Sequence, residues 1–136
     1  ERELMNRSQR IESPASDAVS SVIGPDEIHD LREQVRDVHV ADPIKEYILD
    51  IVTAVRESDQ VRVGPSPRAT LAFLRAGQAR AAIHGRTYVT PDDIKRVALP
   101  VLAHRLVLTP DAMVNNVDKR EVVQTVLDSV PVPTVE

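Results

Sequence analysis

Apolar residues return at steps of three and four in five stretches of this chain, each bordered by residues that begin or end helices. The first holds Ile28, Leu31, Val35 and Val38; the second holds Ile44, Ile48, Ile51, Val52 and Val55, with Tyr47 at its margin. The third holds Ala69, Ala72, Phe73, Ala76, Ala79 and Ile83, and the fourth Ile94, Val97, Ala98, Val101 and Leu102. The last holds Val122, Val123, Val126, Leu127 and Val130. Such steps line side chains along one side of a 3.6-residue turn, so each stretch predicts an amphipathic helix with one face to bury. Val38-His39-Val40, Thr87-Tyr88-Val89 and Leu106-Val107-Leu108 predict short extended pieces instead. The fold class is therefore all-α, a small helical bundle with one or two minor extended segments.

The residues between these stretches place the helix ends. Gly24-Pro25-Asp26 opens the first helix, and Asp42-Pro43 restarts the chain with a cap and a first-turn proline. Ser66 is a good N-cap with Pro67 preset for the first helical position, and Gly85 is placed to end that helix in a left-handed turn. Thr90 caps the fourth helix, with Asp92 and Asp93 favoured by the dipole. Pro100 removes a donor and clashes with the carbonyl four residues back, which predicts a bend near Arg96 and a fourth helix in two pieces. Asp59–Ser66 reads as a connection and Thr109–Asp118 as a loop, while Pro131 and Pro133 end the last helix. Upstream, Glu1–Gln9 reads as the charged tail end of a helix, and Glu12–Ser21, rich in serine, as a linker.

A chain of 136 residues, 42% hydrophobic and 28% charged, suits one domain with a modest core plus tails. No apolar run approaches the roughly 20 residues that span a membrane, and no charged-then-apolar leader opens the chain. Its first residue is Glu1 rather than Met, as expected of a processed product or a piece of a larger protein. The absence of cysteine excludes disulfides and thiolate metal sites and is compatible with a cytoplasmic location. A net charge of -4 argues against a nucleic-acid binder that relies on a basic surface. Tyr47, Phe73 and Tyr88 are the only aromatic residues, too few for a base-stacking platform.

Chemistry is scarce. His29, His39, His84 and His104 share no helical spacing with acids that would hold zinc, so no metal site is expected. No nucleophile sits in a diagnostic elbow, Asp92 and Asp93 serve as caps, and the four glycines form no phosphate loop. Catalysis by this chain alone is not expected. The informative stretch is Gly64-Pro65-Ser66-Pro67-Arg68-Ala69, which sets Arg68 in the first turn of the third helix. A cation there opposes the helix dipole by roughly 0.3–1 kcal/mol, so an anionic partner is expected. Pro67 lacks an N–H and Ser66 engages another, which leaves few amides free; the guanidinium, a planar fork suited to phosphate or carboxylate, is the better anion ligand. An internal Asp or Glu and an external phosphate both satisfy this pattern.

Motif order narrows the choice. The Gly64–Ala69 run, then Ala82-Ile83-His84-Gly85-Arg86, then Tyr88-Val89-Thr90-Pro91-Asp92-Asp93-Ile94, then Val101-Leu102-Ala103-His104-Arg105-Leu106, resembles the lid domain of MoxR-type AAA+ ATPases. Val130-Pro131-Val132-Pro133 is similar to the end of such proteins. The resemblance covers most of residues 25–133. It implies that residues 1–24 are the end of an ATPase core helix and its linker, and that residues 25–136 are the lid. It also implies that Arg68 is the sensor-2 arginine, reaching the γ-phosphate of ATP held on the core, and that Tyr47 or Ile48 on the second helix lies on the adenine side, although both also suit core packing. Pro65 stands where alanine is usual in the family, which stiffens the approach to Ser66, Pro67 and Arg68. Further implications are ATP with Mg2+ in the full-length protein, a homo-oligomeric ring (often a hexamer), and a chaperone-like role in metal-cofactor insertion or complex maturation. The partners implied are the ATPase core of the same chain and a von Willebrand factor A domain protein, with no nucleic acid and no membrane. A rival resemblance, carried by the long third helix and the Tyr88–Ile94 turn into the fourth, is to a histone-fold-like binding module. A third reading is a structural adaptor with Arg68 paired to an internal acid.

Overall fold

Pro25 opens the first helix described from end to end in the computed structural model, which describes residue 2 and residues 20–134. The chain divides into two units, residues 1–31 and residues 32–136. In the first, the Gly24 amide donates to the Glu27 carboxylate at 2.8 Å and the Ile28 amide to the Gly24 carbonyl at 3.1 Å, which starts α1 (Pro25–Arg36). The expected helix over Glu1–Gln9 and linker over Glu12–Ser21 lie outside the described residues, apart from Arg2, Ser20 and Ser21.

The second unit carries α2 (Asp42–Arg56), β1 (Val61–Val63), α3 (Pro67–Ile83), α4 (Pro91–Leu102), a 3-10 turn (Ala103–Arg105), β2 (Val107–Leu108), α5 (Pro110–Val114) and α6 (Lys119–Ser129). The fold is all-α as expected, with one two-stranded ribbon among the described residues. α2 supplies Ile44, Tyr47, Ile48, Ile51, Val52 and Val55 to the core, each at most 2% exposed. At roughly 1.5–3 kcal/mol for each large aliphatic side chain withdrawn from water, this is the strongest apolar face of the fold. Phe73, Ile94, Leu102 and Val123 close the core from α3, α4 and α6.

Several expectations are corrected. Tyr47 lies three residues from Ile44 and four from Ile51, which puts it at the centre of the α2 face rather than its margin, and it is 1% exposed. Ala41 is the N-cap of α2, making no side-chain bond, whereas Asp42 is the first helical residue and binds Lys45 at 2.8 Å. On α3 the buried positions are Ala69, Phe73, Gly77, Gln78 and Ala81, while Ile83 is 83% exposed. The buried face is therefore rotated from the one that apolar spacing predicts. Two of its members, glycine and glutamine, carry no apolar signal.

α4 runs unbroken through Pro100, not in two pieces. The lost bond falls in the last turn, just before the chain tightens into the 3-10 turn, so the proline ends the helix rather than dividing it. Within the expected loop, Thr109 accepts from the Ala112 amide at 3.3 Å and starts the five-residue α5. Val107–Leu108 is extended as expected, and its antiparallel partner is Val61–Val63 inside the stretch read as a plain connection. His39 and Tyr88, both in segments expected to be extended, meet in a single parallel bridge. Among the described residues no helix is long and apolar enough to cross a membrane.

Candidate functional site

Arg68 is exposed on the first turn of α3. Among the described residues no carboxylate lies within salt-bridge reach of it. The helix beneath it is capped as the sequence predicts: Ser66 Oγ accepts from the Ala69 amide at 3.3 Å, and Pro67 occupies the first turn. The Ser66 carbonyl takes the Ala69 and Thr70 amides at 2.8 and 3.1 Å, so those two first-turn donors are committed. An anion arriving here would meet the guanidinium rather than a nest of free amides.

The far end of α3 is fastened twice. Gly85, at φ 69°, closes the helix, with its own amide on the Ala82 carbonyl at 2.9 Å and the Arg86 amide on the Ala81 carbonyl at 3.0 Å. The chain leaves this turn with Arg86 aimed at Asp93, whose two carboxylate oxygens each accept from an Arg86 terminal nitrogen at 2.6 Å. Thr90 and Asp93 complete a reciprocal capping box at the start of α4. Burial of Asp93 would raise its carboxyl, but the Arg86 bonds and those from the Thr90 amide and hydroxyl outweigh it and hold it at about 2. Arg80 adds a longer ion pair to Asp93 at 3.6 Å. Midway along α3, Gln78 donates to the Val38 carbonyl at 2.8 Å and the Arg36 carbonyl at 3.2 Å. Gly77 lets α4 come close, since a Cβ there would stand 2.6 Å from Ile94 Cδ1.

Tyr47 and Ile48 are brought to different places. Tyr47 is enclosed in the core, its hydroxyl without a hydrogen-bond partner among the described residues, and burial pushes the phenol up. Ile48 is 2% exposed and forms part of an apolar groove of about 140 Å3 between α2 and α3, together with Leu49, Leu71 and Leu74. Leu71 lies one turn beyond Arg68 on the same side of α3, so cation and groove are neighbours. Sequence reasoning did not anticipate Leu49 and Leu71, which are 48% and 56% exposed; their signal is two leucines outside the buried stripes of their helices. It also placed Arg56 and Asp93 without their partners. Among the described residues no three His, Asp or Glu side chains gather as a metal site.

Comparison with known proteins agrees with the motif order. The AAA lid domain family matches residues 53–126. The chain is 36% identical over 130 residues to YeaC of Bacillus subtilis (strain 168), itself uncharacterised, and 35% identical over 114 residues to the chaperone MoxR1 of Mycobacterium tuberculosis. These alignments take in 96% and 77% of this chain but 39% and 30% of the relatives, so the chain spans well under half of each. The MoxR protein of Paracoccus denitrificans is 32% identical over 85 residues, which is 53% of this chain and 25% of that protein. A crystal structure of a candidate ATPase from Cytophaga hutchinsonii superposes with a TM-score of 0.81 at 26% identity, covering 98% of this chain and 42% of that one. None of this supports the histone-fold-like reading, whose shared helix-turn-helix outline the lid fold accounts for. A polar-capped third helix, its clamp to the fourth and this set of relatives lead to one conclusion: the chain belongs to the AAA lid domain family, as a lid of the MoxR type.

Proposed function

We propose that this lid senses nucleotide for an ATPase core carried by the same full-length protein, with Arg68 as the side chain that reaches the γ-phosphate. The observation that carries this reading is an exposed guanidinium, without an acidic partner among the described residues, on the opening turn of a helix fastened along its length. Its fork fits a phosphate, and the groove of Ile48, Leu49, Leu71 and Leu74 beside it fits the adenine side of the same ligand. Tyr47 supports that wall from behind, within the core. ATP would bring Mg2+ and a transferable phosphoryl group, held by residues of the core; the lid contributes a cation that follows that phosphate.

A charge-assisted contact of roughly 1.5–3 kcal/mol shifts an open-to-closed lid equilibrium about tenfold to a hundredfold, so loss of the phosphate releases the lid. Residues 1–24, in this reading, are the end of the core and its linker. The wider protein forms a homo-oligomeric ring, often of six copies, and works as a chaperone in complex maturation or metal-cofactor insertion beside a von Willebrand factor A domain partner. The relative named chaperone MoxR1 supports that assignment. The test is Arg68→Ala in the full-length protein: ATP turnover falls about tenfold or more while the lid keeps its fold. Unchanged turnover overturns the reading.

A further inference from the structure

The geometry points to Arg56 as the positioning residue for Arg68, acting through the Pro65 carbonyl; this rests on the nucleotide-sensing role proposed above. Arg56 is the last residue of α2, and the turn before it is anchored by Val52 and Val55, both fully buried. From that fixed base its Nε–H donates to the Pro65 carbonyl at 2.8 Å. The preceding residue lies against the same side chain: a Cβ on Gly64 would stand 2.6 Å from Arg56 Cγ and 3.0 Å from its Cα, so only glycine fits. Pro65 itself is buried.

Little freedom is left between this fastening and Arg68. Pro65 and Pro67 have φ set by their rings, and each restricts the residue before it to extended backbone. Ser66 follows that rule at φ -74° and ψ 165°. One hydrogen bond to the Pro65 carbonyl therefore fixes the direction from which α3 starts, and with it the place of the guanidinium three residues on. Among the described residues the Arg56 terminal nitrogens have no acidic partner, and the side chain bonds through its Nε–H alone.

This assigns the function to one N–H and not to the charge, and two substitutions separate them. Gln places Nε2 where Arg has Nε and keeps the donor without the charge; Met has the same reach and no donor. In the full-length protein, Arg56→Met lowers the kcat for ATP about three- to tenfold, the worth of one hydrogen bond, while Arg56→Gln stays within about twofold of the parent. Arg56→Met adds nothing further in an Arg68→Ala background, because it acts through Arg68. In the present chain, Arg56→Met speeds amide exchange at Ala69 and Thr70 and Arg56→Gln does not. Equal loss of kcat in both variants would assign the effect to charge and overturn the inference, as would unchanged exchange in Arg56→Met. Normal turnover in Arg68→Ala would instead remove the nucleotide reading, and the exchange measurement would still decide whether Arg56 holds the start of α3.

Discussion

Arg86 grips Asp93 with both terminal nitrogens, each 2.6 Å from a separate carboxylate oxygen, and so ties the chain leaving α3 to the first turn of α4. The carboxylate is 1% exposed and also accepts from the Thr90 amide and hydroxyl at 2.9 and 2.8 Å, so its acceptor sites are filled from three directions. An ion pair this satisfied works as a joint: it sets the angle between the helix that carries Arg68 and the helix packed behind it.

Removing the acid should be costly. Asp93→Ala leaves Arg86 and the Thr90 amide unpaired and deletes half of a capping box, for a loss of roughly 2–4 kcal/mol. Urea unfolding of the chain measures it, and the m-value should stay constant while the midpoint falls.

The same joint makes stability depend on acid. Asp93 titrates at about 2 in the folded chain against an ordinary 3.8, so the unfolded chain takes up the proton first. Its contribution is complete above roughly pH 5 and is lost as pH falls towards 2, in all about 2 kcal/mol. Urea midpoints followed from pH 6 to pH 2 should fall less steeply for Asp93→Asn than for the parent.

Gly85 isolates a backbone effect. Nothing lies within 4 Å of the place a Cβ would occupy, and φ is 69°, so Gly85→Ala costs about 1 kcal/mol from conformation alone. Gly85→Asn, a residue that accepts this region, should recover part of that in a thermal melt.

Gln78 is a buried donor with two carbonyl partners. Gln78→Met keeps the volume and strands the Val38 carbonyl, costing about 1–3 kcal/mol. Amide exchange should rise at His39 and Val89, whose amides form the bridge beside it at 2.8 and 3.0 Å.

Arg68 should show the opposite sign. Because it sits at the positive end of the helix dipole, Arg68→Glu raises stability by roughly 0.5–1 kcal/mol while removing the cation of the proposed phosphate contact. A higher melting temperature in the variant, with ATP turnover of the full-length protein lost, is the expected pair of results.

The order of the five longer helices and most of their boundaries were legible because they rest on short-range rules. Ser66-Pro67 and Thr90-Pro91 state where α3 and α4 begin, and Gly85 states where α3 ends, in residues that act on their own neighbours. The same Thr-Pro-Asp pattern recurs at Thr109-Pro110-Asp111 and starts α5, a signal present in the sequence but hidden by the shortness of the helix it opens. Arg68, too, was marked by its position, since a cation in a first turn is locally out of place.

What no local rule could supply was the partner of each group. That Val61–Val63 pairs with Val107–Leu108, that Gln78 serves the carbonyls of residues 36 and 38, that Arg86 is spent on Asp93 and that Arg56 holds the Pro65 carbonyl all depend on segments brought together by the core. The sequence by itself determined where the longer helices start and stop, to within a residue or two, and set Arg68 in a first turn, because capping and ring constraints act within one turn. Tertiary structure alone decided which side of α3 is buried and what fastens it, because a glycine and a glutamine enter a core through the neighbours they admit and the carbonyls they satisfy, not through hydrophobicity of their own.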